Sequence, residues 1–159
     1  MTNEATDVKL TVPLFDLVND SGALTALLIT KEGHAIAEAG DTSYLNTTAM
    51  AALIAGMFSA TREVARMVGE SQFSILLQQG SNRHIHISLV TDSVMMVVIF
   101  EDYQRIGRVR HEARKAGEKL MASLRTNESR VTAQVAGELC VPEFKEYALN
   151  LIDRIFTAK

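Results

Sequence analysis

Apolar positions recur along this chain at two different spacings. Leu24–Thr30 and His34–Ala39 are apolar segments of strand length, separated by Lys31-Glu32-Gly33. That triplet reads as a hairpin turn in which glycine supplies a positive φ. Phe73–Gln78, His84–Val90 and Val94–Phe100 are three further strand candidates, joined by Gln79-Gly80-Ser81-Asn82 and by Thr91-Asp92-Ser93. The last strand is apolar throughout, so both of its faces need cover.

Elsewhere the spacing is helical. Asn46 is suited to cap a helix over Thr47–Val68, with Gly69 closing it. Ile106, Val109, Ala113, Ala116 and Leu120 recur at intervals of 3-4-3-4 and mark a helix over Gln104–Leu124. A short helix over Val12–Asn19, with Pro13 in its first turn, is stopped by Asp20-Ser21-Gly22. The sequence thus divides into a flexible stretch over 1–9, one domain over 10–124, a polar linker over 125–141 and an amphipathic helix over 142–157. Short turns between neighbouring strands mean antiparallel pairing, so the fold class is α+β, an α/β sandwich.

The 47% hydrophobic and 22% charged composition is that of a globular protein. A net charge of −3 gives no general attraction to nucleic acid. The single cysteine, Cys140, excludes an internal disulfide framework. The seven-residue apolar run Val94–Phe100 is too short to span a bilayer as a helix, and the first 20 residues lack a secretory apolar core. The expected location is the cytoplasm. Phosphate-loop, dinucleotide, CxxC, HExxH and GxSxG motifs are absent, so no cofactor and no catalytic site are expected. His84 and His86 share one face of a strand. Without a third ligand they read as the solvent face of the sheet rather than a metal site. On the Gln104–Leu124 helix, Arg105, Arg108, Arg110, Arg114, Lys115 and Lys119 outnumber Glu112 and Glu118. They read as a solvated face, with docking of an acidic partner as the alternative.

The Thr47–Val68 helix has two unlike faces. Bulky Met50, Leu53, Ile54, Met57, Phe58, Val64 and Val68 span an arc wider than one core contact needs. That width suggests contact with both its own sheet and a second chain. The other face is lined by small and then charged residues, among them Ala52, Ala55, Gly56, Ser59, Glu63 and Arg66.

Several local patterns, taken in order, resemble the roadblock (dynein light chain, longin-related) family. They are Asn46-Thr47-Thr48, Ala52-Leu53-Ile54-Ala55-Gly56, Val68-Gly69-Glu70 with Phe73, Gln79-Gly80, Val97-Val98-Ile99-Phe100-Glu101, Ile106-Gly107-Arg108-Val109-Arg110 and Lys115-Ala116. Within the family the pattern is most similar to the bacterial MglB type, regulators of a Ras-like GTPase. The resemblance implies a five-stranded antiparallel sheet with the long helix on one face and two helices on the other. It implies a homodimer, with an interface expected at Met50, Leu53, Ile54, Met57, Phe58, Phe73 and Ile75. It implies a small GTPase of the MglA type seated on Ala52, Ala55, Gly56, Ser59, Ala60, Glu63 and Arg66. Such regulators promote GTP hydrolysis without an inserted arginine, by reshaping the GTPase switch regions. The C-terminal helix, through Phe144, Ala148, Leu151, Ile152 and Ile155, would contact the GTPase and assist nucleotide exchange. Cell polarity or motility, with enrichment at a cell pole, is the process implied. The alternative is an adaptor that docks another roadblock protein or a polarity factor.

Overall fold

The computed structural model describes residues 3–138, with side-chain surroundings for residues 7–126. The elements run α1 (Asn3–Ser21), β1 (Thr25–Thr30), β2 (Ala35–Gly40), α2 (Thr47–Met67), β3 (Ile75–Gln79), β4 (His84–Thr91), β5 (Val94–Phe100), a 3₁₀ turn (Tyr103–Arg105) and α3 (Ile106–Glu138). Met1–Ser123 cluster as one compact unit and Leu124–Lys159 as a second.

All five strands join one antiparallel sheet in the order β2-β1-β5-β4-β3, so β2 and β3 are its edges. The apolar run becomes the central strand β5, buried along its whole length as its composition requires. Alternation sorts side chains between the two faces. Leu27, Val97 and Ile87 lie in register across three strands and, with Ile29 and Met95, receive Ile54 and Phe58 of α2. Ala26, Val98 and His86 form the neighbouring row on the opposite face, which α1 and α3 cover. Leu10, Leu14 and Leu17 of α1, and Val109, Ala113, Ala116 and Leu120 of α3, are the buried stripes of those two helices. Lys115 meets Asp20 at 3.7 Å and Lys119 meets Asp16 at 3.5 Å. These exposed pairs tie α3 to α1 and use part of the helix's basic charge, each contributing little stability.

Three sequence expectations change. Helix α1 begins at Asn3 rather than Val12 and places Pro13 inside it. Glu4, Ala5, Lys9 and Leu10 favour its N-terminal extension by about two and a half turns, and Leu10 in the added segment is buried. Helix α3 continues to Glu138, through most of the segment expected as a linker. Residues 125–136 contain neither proline nor glycine, so nothing local stops the helix. His84 and His86 are not on a solvent face: they are 4% and 1% exposed. Their strand face lies beneath helices, and the His84 ring sits 5.2 Å from that of Phe100 and 5.1 Å from that of Tyr103.

Candidate functional site

Helix α2 carries the candidate site, and its ends are fixed locally. The Asn46 side chain accepts the Ala49 N–H at 3.0 Å, one of the donors a helix start leaves unpaired. At the far end Gly69 takes φ +84°, and the Glu70 N–H turns back to the Ala65 carbonyl at 2.9 Å.

One side of α2 is buried on the sheet through Ala51, Ile54, Ala55, Phe58 and Ala65. At about 100° per residue, the five apolar positions Ala49, Leu53, Ala60, Val64 and Met67 form a seam on the side away from the sheet, with Gly56 and Glu63 on the same outward half. All five are exposed, with Leu53 at 73% and Met67 at 86%. An exposed seam of five uncharged positions, bordered by Glu63, is unusual for a surface in water. Val68 extends the apolar patch at the helix end. Along one flank of that seam run Ala52, Gly56, Ser59 and Glu63, also exposed. Nothing stands within 4 Å of where a Gly56 Cβ would be. Arg66 Nη1 donates to Glu63 Oε1 at 2.7 Å, closing the flank with an exposed ion pair.

The residues expected to face a partner therefore divide. Ala52, Gly56, Ser59, Ala60, Glu63 and Arg66 are exposed on α2. Ala55 is corrected: at 7% exposure it packs on its own sheet. Ile54 and Phe58, both 4% exposed, likewise belong to the core of this chain and not to an interface with another. Met50 and Met57 are half-buried against that core, and the Gln78 amide reaches the Met57 sulfur at 2.9 Å. Leu53 stays free, as does Ile75 on edge strand β3, while Phe73 just before that strand is half-buried. The bulky face read from the sequence mixed two surfaces separated by about half a turn. The small size of Ala51, Ala55 and Ala65 hid the core-facing stripe, which lets α2 lie close to the sheet. Met67, missed as a surface residue, was detectable from its spacing to Ala60 and Leu53. Phe144, Ala148, Leu151, Ile152 and Ile155 lie outside the described residues.

Among the described residues no group of three His, Cys, Asp or Glu side chains is placed to hold a metal. No described helix is long and apolar enough to cross a membrane.

The Roadblock/LC7 domain model matches residues 13–100. Myxococcus xanthus MglB is 30% identical, with a TM-score of 0.72 over 74% of this chain and 96% of that one. The gliding protein MglB of Thermus thermophilus is 24% identical, with a TM-score of 0.70 over 75% and 90% of the two chains. A Roadblock/LC7 domain from Streptomyces avermitilis shares the fold at 17% identity and a TM-score of 0.61, over 73% and 95%. No curated protein matches in sequence.

Proposed function

The chain belongs to the Roadblock/LC7 family, and on that premise we propose that it is a homodimeric regulator of a small Ras-like GTPase of the MglA type. The observation that carries this reading is the uncharged outer seam of α2, Ala49, Leu53, Ala60, Val64 and Met67, beside a flat flank of small residues. Two copies of the seam, laid together across a two-fold axis, remove Leu53 and Met67 from water. Fully burying one such side chain contributes about 1.5–3 kcal/mol, and the two-fold repeats each contact. The unpaired edge of β3, with Ile75 and Leu77 exposed, would join its counterpart in the same dimer.

The flanks from both copies then form a shelf of Ala52, Gly56, Ser59 and Glu63 on which the GTPase rests. Short side chains let its switch backbone approach closely. Arg66 makes only an exposed ion pair with Glu63, and stimulation through reshaped switch regions rests on the family resemblance rather than on this contact. Such a regulator acts by preferring the GTP conformation over the GDP conformation, and about 1–3 kcal/mol of preference makes a working switch. The reading places the protein in the cytoplasm, in cell polarity or motility, with residues 142–157 assisting nucleotide exchange.

Co-elution of the chain with the Ras-like GTPase of the same organism, loaded with GTP or GDP, tests the reading. Preferential co-elution with the GTP form and faster hydrolysis support it. Binding without a rate change would point to an adaptor.

A further inference from the structure

On the side of the sheet away from α2, a groove of about 580 Å³ runs between α3 and strands β4 and β3. That volume lies in the range of small-molecule sites. Gly107 and Gly117 both line the α3 wall, and a Cβ on either would meet nothing within 4 Å. The same wall carries Arg110 and Arg114. Arg114 leans on Glu118 at 3.7 Å, whereas Arg110 has no ion pair among the described residues.

His86 lines the groove from β4, is 1% exposed, and has no hydrogen-bond partner on either ring nitrogen. Buried polar atoms normally have partners, so an imidazole with both nitrogens idle needs an explanation. Turning the ring by about 180° exchanges its nitrogens with carbons at unchanged volume. Either ring edge can thus present a nitrogen to the groove. Burial, reinforced by the charge of Arg110, lowers the His86 pKa to about 4. The ring is neutral at ordinary pH and can donate one N–H without adding charge.

We infer that this groove binds a small organic oxyanion, a carboxylate or phosphate carried on an apolar body. The oxyanion sits against Arg110 and Arg114 and accepts the His86 N–H, and the body rests on Ile75 and Val90. Planar guanidinium groups suit both oxyanions. A polyanion such as nucleic acid is disfavoured by the net charge of −3 and by Glu118 in the groove lining. The inference does not depend on GTPase regulation, because the groove and the α2 shelf lie on opposite faces of the sheet, although Ile75 borders both the groove and the β3 edge used in the proposed dimer.

The test is an NMR titration of the ¹⁵N-labelled full chain with benzoate and with phenyl phosphate, against benzamide and inorganic phosphate as controls. Expected are saturable shifts confined to residues lining the groove and to the His86 ring nitrogens, with a dissociation constant on the order of 1 mM or tighter for at least one aryl anion. Benzoate and phenyl phosphate distinguish a carboxylate ligand from a phosphate one. Arg110→Gln, at an exposed position, should weaken binding by roughly tenfold, and Arg108→Gln, outside the groove, should leave it unchanged. The inference is overturned by the absence of saturable shifts, by equal binding of benzamide or inorganic phosphate, or by an unaltered Arg110→Gln titration.

Discussion

Gly33, at φ +92°, lies so close to α2 that a Cβ there would stand 2.9 Å from the Ala52 Cα. The β1–β2 turn thus supports the helix backbone at the first residue of the flat flank. The turn is closed by the Gly33 N–H to the Thr30 carbonyl at 3.0 Å and by the Thr30 N–H to the His34 carbonyl at 2.8 Å. Only a residue with no side chain satisfies both the positive φ and the close approach. Gly33→Ala should destabilise the fold by about 1–3 kcal/mol, read as a lower urea midpoint at unchanged slope. An unchanged midpoint would mean that the turn does not bear on α2.

The outer seam of α2 makes Leu53 the residue to alter first. At 73% exposure it contributes nothing to the core of its own chain, so Leu53→Asp should leave far-ultraviolet circular dichroism unchanged. In the dimer it would place two carboxylates against an apolar surface. Light scattering should then report the 17.4 kDa chain mass for the variant and twice that for the parent. A variant that still dimerises would move the interface elsewhere.

The flat flank offers the complementary change. Ser59 is exposed beside the seam, and an arginine there keeps α2 intact while raising a bulky cation from the shelf. Ser59→Arg should keep the dimer and lose GTPase stimulation by at least about tenfold, a cost near 1.4 kcal/mol. Stimulation at the parent level would remove this flank from the contact.

Acid should destabilise the protein through His86. Its folded pKa, lowered to about 4 by burial and by Arg110, lies below the value of 6.5 for a free histidine. Between those two values the unfolded chain binds more protons than the folded one. Stability is therefore complete above pH 6.5 and falls as pH drops toward 4, by about 3 kcal/mol at most. His86→Leu should flatten that part of the urea-midpoint profile, and an identical slope in both proteins would assign acid sensitivity to other groups.

Much of the fold was legible because the signals were local. Turn residues bounded all five strands to within two residues, and Asn46 and Gly69 marked both ends of α2. The apolar run Val94–Phe100 announced its central place. Tertiary effects were harder to read. Alanines at 51, 55 and 65 look neutral in a sequence, yet they decide which side of α2 meets the sheet. Leu53 and Ile54 were both assigned to an interface between copies, yet Leu53 is exposed and Ile54 lies in the core. One residue is about 100° of helix, enough to pass from seam to core. Histidines alternating with isoleucines suggested a wet strand face, whereas helices cover both sides of β4. The groove arises from α3 and β4 together, and no local pattern encodes it.

The most direct test of the account is the rate of GTP hydrolysis by the Ras-like GTPase of the same organism, measured under single-turnover conditions as this protein is added. The account expects a saturating acceleration that vanishes in both Leu53→Asp and Ser59→Arg. A rate indifferent to the parent protein, or an acceleration that survives both substitutions, would contradict it.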